Sequence, residues 1–171
     1  LYHDFKKPIM SFSVPMMPHW HEDVQHSLGV APRVVSYDPQ NPNASARLAK
    51  AAGVDAISFF AFHVRPAAEA LKKVNYTQEI RFLELAGETC SRTLYEYMRE
   101  TFPNATILPF YGSSEVEDVP IGAPCRAMTG EEPLALYHQK ISHYLEIIDP
   151  TSGDVIKPVP GAEGELVITS F

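Results

Sequence analysis

The chain has 171 residues, 45% of them apolar and 20% charged, about one domain's worth and enough to bury a core. Fourteen basic against twenty-one acidic side chains leave a net charge of −7, which argues against nucleic acid or an anionic membrane as the main partner. No apolar run reaches the ~20 residues of a membrane span, and Cys90 and Cys125 are too few for a disulfide framework, so a reduced cytoplasmic setting is the default.

Proline punctuates the chain. Six of its fifteen prolines lie in the first 42 residues and eight from Pro103 onward, so regular structure should concentrate in 43–102, where only Pro66 falls. Arg33 to Tyr37 reads as a strand, and Asn43 as the cap of a helix that runs through Ala52 and ends at Gly53. Asp55 to Phe62 is an apolar run of strand length, and Pro66 suits the first turn of a helix reaching about Val74. Ile80 to Leu85 is the next strand. Ser91 caps a third helix whose Leu94, Met98 and Phe102 recur every fourth residue on one face, and Thr106 to Phe110 is a further strand. Strand–helix–strand alternation needs crossover connections. It predicts an α/β, doubly wound, mostly parallel sheet with helices on both faces over residues 1–120. From Tyr144 the pattern changes. Leu145 to Ile148, a turn over 149–154 and Glu165 to Ile168 read as antiparallel strands of a β-rich subdomain over 121–171. Opening on Leu1 and closing on Phe171 straight after an apolar run, the sequence reads as an excerpt of a longer chain.

Glycine spacing excludes several phosphate and nucleophile motifs. No two of the nine glycines lie two, four or five positions apart, so G-x-G-x-x-G, G-x-S-x-G and the Walker A loop are all absent. Open parallel sheets bind ligands at the carboxyl ends of their strands. Two expected strand ends carry similar chemistry: Leu85-Ala86-Gly87-Glu88-Thr89 and Phe110-Tyr111-Gly112-Ser113-Ser114-Glu115. Each offers a glycine for close approach, a small hydroxyl residue and a carboxylate. Tyr111 presents an aromatic face for a heteroaromatic base, Ser114 a hydroxyl for a phosphate or carboxylate oxygen, and Glu115 a hard ligand for Mg²⁺. A plain solvated turn is the competing reading of the same residues.

Those two ends resemble motifs of the adenylate-forming acyl-CoA synthetase superfamily. The stretch Glu146-Ile147-Ile148-Asp149-Pro150-Thr151-Ser152-Gly153, followed by Gly161-Ala162-Glu163-Gly164-Glu165-Leu166-Val167-Ile168-Thr169, is most similar to its phenylacetate–CoA ligase branch. The resemblance runs from about Arg33 to Phe171. It implies a central fragment of a two-step ligase. A carboxylate attacks the α-phosphate of ATP to give an acyl-adenylate and pyrophosphate, and a thiol, usually coenzyme A, then displaces AMP. By the same resemblance Tyr111 stacks on adenine, and Gly87 and Glu88, with Thr89 beside them, line the adenine side. Gly112 lies against the acyl-adenylate, Ser114 holds a phosphate or acyl oxygen, and Glu115 binds Mg²⁺. The substrate class is a small carboxylic acid, aromatic if the branch resemblance is followed.

The sequence also departs from the family. Pro109 stands where relatives often carry Asn or Asp against the adenine amino group. The Ser/Thr/Gly-rich phosphate loop, the ribose-binding Asp and the domain with the catalytic Lys do not occur, so these residues alone are not expected to complete the reaction. An adenylation domain that loads a carrier-protein thiol, and a non-catalytic nucleotide- or partner-binding homologue, are the alternatives. Pro18-His19-Trp20-His21-Glu22 with His26 invites a zinc reading, but the spacing matches no zinc signature, and a family-like segment there places His19 or Trp20 beside the acyl pocket. Cys125 with His138 and His143 is an equally weak zinc set. His63, after Phe59-Phe60-Ala61-Phe62, is either a packed edge histidine or a group aimed at the acyl moiety. The Phe59, Phe60 and Phe62 cluster is either core or pocket.

Overall fold

The computed structural model describes residues 9–11, 34–112, 122–123, 138–139 and 143–170. The boundary expected at 120/121 falls outside them. Five parallel strands form the main sheet: β1 (Ile9–Ser11), β2 (Val34–Ser36), β3 (Ala56–Phe60), β4 (Phe82–Ala86) and β5 (Thr106–Pro109), in the order β2-β1-β3-β4-β5. Helices α1 (Pro42–Ala52), α2 (Val64–Lys73) and α3 (Arg92–Thr101) connect them. Parallel neighbours require such crossovers, and the alternation read from the sequence supplies them.

Local chemistry sets the helix ends. Asn41, rather than Asn43, caps α1: its side chain accepts the Ala44 N–H at 3.2 Å, and Pro42 takes the first helical position, where its missing N–H costs nothing. Gly53 closes the helix in the left-handed conformation, φ +73°. Ser91 caps α3 as expected, accepting the Leu94 N–H at 3.2 Å. The apolar run after Asp55 does not stay extended. β3 stops at Phe60 and a 3₁₀ turn, Ala61–His63, leads into α2, which leaves Phe62 57% exposed.

Register sorts the sheet into two unlike faces. Met10, Ile57, Leu83 and Ile107 align across β1, β3, β4 and β5, and Phe59 aligns with Leu85 on the same side. These side chains join Ala46 and Ala49 of α1, Ala67, Ala68 and Leu71 of α2, and Met98 of α3 with Phe102 beyond it in one buried cluster. Along the other face run Ser58, Phe60, Phe82, Ala86 and Leu108, all half-buried, with Ala56 and the Glu84 carboxylate buried among them in register. Alternation along each strand produces this division. On the outside, Tyr97 of α3 donates to Glu69 of α2 at 2.6 Å, between Arg65 and Lys72 over its ring.

Beyond β5, a two-stranded ladder pairs β6 (Gly122–Ala123) with β7 (His138–Gln139). A three-stranded antiparallel sheet follows, β8 (His143–Ile148), β9 (Val155–Ile156) and β10 (Glu165–Ser170), with β8 in the middle. The β8–β9 turn is held by Asp149, whose carboxylate accepts the N–H groups of Thr151 (2.7 Å) and Ser152 (3.2 Å). Those bonds keep its carboxyl below the usual carboxylate range. Gly164 lets β10 run tight against β8, since a Cβ there would lie 2.6 Å from both Ile147 Cγ2 and the Ile148 carbonyl oxygen. Among the described residues no helix is long and apolar enough to cross a membrane.

Candidate functional site

Parallel pairing of β4 with β5 sets Leu85 against Pro109, and the Phe110 N–H donates to the Leu85 carbonyl at 2.8 Å. The segments that leave these two strands, Gly87-Glu88-Thr89 and Tyr111-Gly112, therefore emerge side by side, one strand spacing of about 4.8 Å apart, at the carboxyl edge of the sheet. Gly87, Glu88 and Thr89 are all exposed. Tyr111 is 40% exposed, and its backbone is fixed from the far side by Gly122. The Tyr111 N–H donates to Gly122 at 2.9 Å and the Gly122 N–H donates back at 3.1 Å. These two bonds fix the backbone that carries the ring, and the residue's exposure leaves the side chain within reach of a flat ligand.

Pro109 ends β5 buried on the core side, on the face of Leu85, so it offers no side-chain contact to the crevice. Cys90, directly after Thr89, is buried, and burial pushes its thiol up to about 11, which suits a packing group and not a nucleophile. Ser114 and Glu115 lie outside the described residues, as do His19, Trp20, His21, Glu22, His26 and Cys125. Among the described residues no group of three or more His, Cys, Asp or Glu side chains could hold a metal ion.

The β3 end adds a third element to the same edge. His63 stands half-buried at the start of α2, its ring 4.2 Å from that of Phe62 and 5.7 Å from that of Tyr37. Burial holds its imidazole below the usual histidine range, so the neutral form prevails near pH 7. The phenylalanine cluster divides. Phe59 is core, its ring tilted at 45° to that of Tyr37 at 4.7 Å, whereas Phe60 is half-buried on the opposite face and Phe62 is exposed, their rings nearly parallel at 3° and 5.7 Å apart. Gly87 also serves a different neighbour from the one its sequence setting suggests. Its φ is +81°, and a Cβ there would overlap the Phe60 ring. The sequence reading leaves Phe60 in a cluster that is either core or pocket and does not separate it from Phe59. The usable signal is its even spacing from Ser58, which puts it on the face away from the core.

No protein-family model and no curated protein sequence matches the chain. Solved structures do. VinN superposes with TM-score 0.75 at 16% identity, over 99% of this chain and 41% of VinN. An acyl-CoA synthetase from Brucella canis gives TM-score 0.71 at 17% identity, over 98% of this chain and 30% of that one. O-succinylbenzoate coenzyme A synthetase from Bacillus subtilis, in complex with AMP, gives 0.69 at 15% identity, over 98% of this chain and 33% of that one. The parallel sheet with its helices, followed by a small antiparallel sheet, is thus the α/β fold that these solved structures share over the matched region. The chain spans less than half the length of each of these solved structures.

Proposed function

We propose that this chain forms the nucleotide side of an AMP-forming carboxylate–CoA ligase, of the phenylacetate–CoA ligase-like kind that its motifs resemble. In that reaction a carboxylate oxygen bonds to the α-phosphorus of ATP as pyrophosphate leaves. A coenzyme A thiol then bonds to the acyl carbon as AMP leaves. Supporting the reading most directly is the adjacency of the β4 and β5 ends, which brings Gly87, Glu88 and the exposed Tyr111 ring to one edge of the sheet.

Residue roles follow from that edge. Tyr111 stacks on the adenine ring, which its exposed, backbone-anchored position fits. Glu88 and Thr89 line the base on the β4 side, and Gly112, with no side chain, leaves room for the acyl-adenylate. Ser114 holds a phosphate or acyl oxygen. Glu115 is the ligand for Mg²⁺, which when bound neutralises phosphate charge. His63 lies on the side of the edge away from Tyr111 and, with His19 and Trp20, borders the acid, which the branch resemblance makes aromatic. Such catalysis is positioning and charge neutralisation, and it is proposed to take place in the cytoplasm.

ATP–pyrophosphate exchange on the full-length protein that carries these residues tests the reading. Acid-dependent exchange is expected, and Glu115→Ala should abolish most of it while AMP still binds. Exchange that persists in Glu115→Ala would remove Glu115 from the metal site. A full-length protein that binds AMP without exchanging pyrophosphate would favour the non-catalytic alternative, and transfer to a carrier thiol but not to coenzyme A the carrier-loading one.

A further inference from the structure

The β3 end carries a feature that the proposed roles leave unused. Phe60 is the last residue of β3 and pairs with Ala86 of β4, so its ring lies over the start of the Gly87 turn. It fills the volume where a Gly87 Cβ would be. Phe62 stacks parallel to it at 5.7 Å and is itself in contact with His63 at 4.2 Å. A half-buried ring wedged between a glycine and a second aromatic has little freedom to swing, because its rotamers are blocked on two sides.

Its place along the edge gives the wedge a use. On one side lie the β4 and β5 ends with Gly87, Glu88 and Tyr111. On the other lie Phe62 and His63. Tyr111 and Phe60 stand about two strand spacings apart, roughly 10 Å, with Gly87 between them. We propose that Phe60, locked by Gly87, is the partition between the base-binding and acid-binding halves of the site, and so a specificity-determining residue that sets the size of acid accepted. This rests on the ligase reading above. Gly87 is then a glycine for two reasons, its left-handed φ of +81° and the space that the Phe60 ring takes. Neither residue touches the reacting atoms, and their effect is on the shape of the acid pocket.

The experiment uses the full-length protein that carries these residues, with Phe60→Ala, Phe60→Leu, Gly87→Ala and the Gly87→Ala/Phe60→Ala double variant. Each is measured by thermal unfolding, by AMP titration and by pyrophosphate exchange over straight-chain and aryl acids of increasing size. Gly87→Ala should unfold earlier than the parent, and adding Phe60→Ala should restore the part of the loss that the ring causes, leaving the strain of φ +81°. Phe60→Ala should leave AMP affinity unchanged and raise the kcat/KM ratio of large over small acids about tenfold or more, the scale of one hydrophobic pocket contact. Phe60→Leu should shift the ratio the same way by less, and it carries the test if the alanine variant fails to fold. An unchanged size profile with AMP binding intact would overturn the partition alone. So would a Gly87→Ala penalty of the same size with and without the Phe60 ring. A parent chain that does not bind AMP would instead overturn the ligase reading beneath it.

Discussion

The parallel sheet and the antiparallel sheet hold their shapes by different means. In the first, Met10, Ile57, Leu83, Ile107, Met98 and Phe102 pack into one buried cluster against helices fixed by side-chain caps. In β8–β10 no described side chain is fully buried, and Leu166, Tyr144 and Val155 are exposed. Shape there depends on backbone pairing, on the Asp149 turn and on the close approach at Gly164. Yet both regions carry motifs of the same superfamily resemblance. The lesson is that motif residues in the second region answer to backbone geometry, while Gly87, Glu88, Thr89 and Tyr111 at the β4 and β5 ends are exposed to solvent.

Core truncation should separate the two regions most sharply. Phe102→Ala removes a fully buried ring and is expected to cost about 3–5 kcal/mol in chemical denaturation, lowering the unfolding midpoint of the helical signal. A loss under about 1 kcal/mol would mean that the cluster does not carry the fold. Gly164→Ala should act on the other sheet. Its Cβ meets the Ile148 carbonyl oxygen and Ile147, so a cost of about 1–3 kcal/mol is expected, of the overpacking kind. Amide exchange should quicken across β8–β10 with little change in β3–β5. Faster exchange in both sheets would show that they unfold as one unit. Ser91→Ala deletes the α3 cap and should cost about 1 kcal/mol, seen in the α3 amides first.

The smallest effect is with pH. The His63 pKa is lowered in the folded chain by burial, so the unfolded chain binds more protons between the folded and unfolded values. That contribution to stability is present above the unfolded pKa, about 6.5, and is lost as pH falls through the lower folded value. Unfolding midpoints taken from pH 7.5 down to pH 5 should fall slightly less steeply for His63→Gln than for the parent. Identical slopes would remove His63 from the linkage.

Much of this was legible in the sequence, and unevenly so. The three helices announced themselves by period and caps, and Leu94, Met98 and Phe102 do face the core as their spacing requires. Asn41 was hidden by Pro42, which starts the helix two residues earlier than Asn43 suggests. Strand β1 escaped notice because Ile9-Met10-Ser11 is too short a run to stand out, although it sits between β2 and β3 through non-local pairing. Crossover logic leaves the adjacency of the β4 and β5 ends as a condition, and the observed pairing meets it. What Gly87 is for does not follow from that logic, because the ring that occupies its Cβ space comes from a residue 27 positions away in the chain, by difference of the two residue numbers. Pattern along a chain tells which residues share a face. It does not tell which of them touch.

On the proposed reading the edge formed by β4 and β5 binds an adenine nucleotide through Tyr111, and the decisive measurement is AMP titration of the full-length protein against its Tyr111→Ala and Tyr111→Phe variants. Loss of the ring should weaken AMP binding by about 1–3 kcal/mol, the worth of one aromatic stack on a base, while Tyr111→Phe keeps most of the affinity. Equal AMP affinity in the parent and in Tyr111→Ala would contradict the claim.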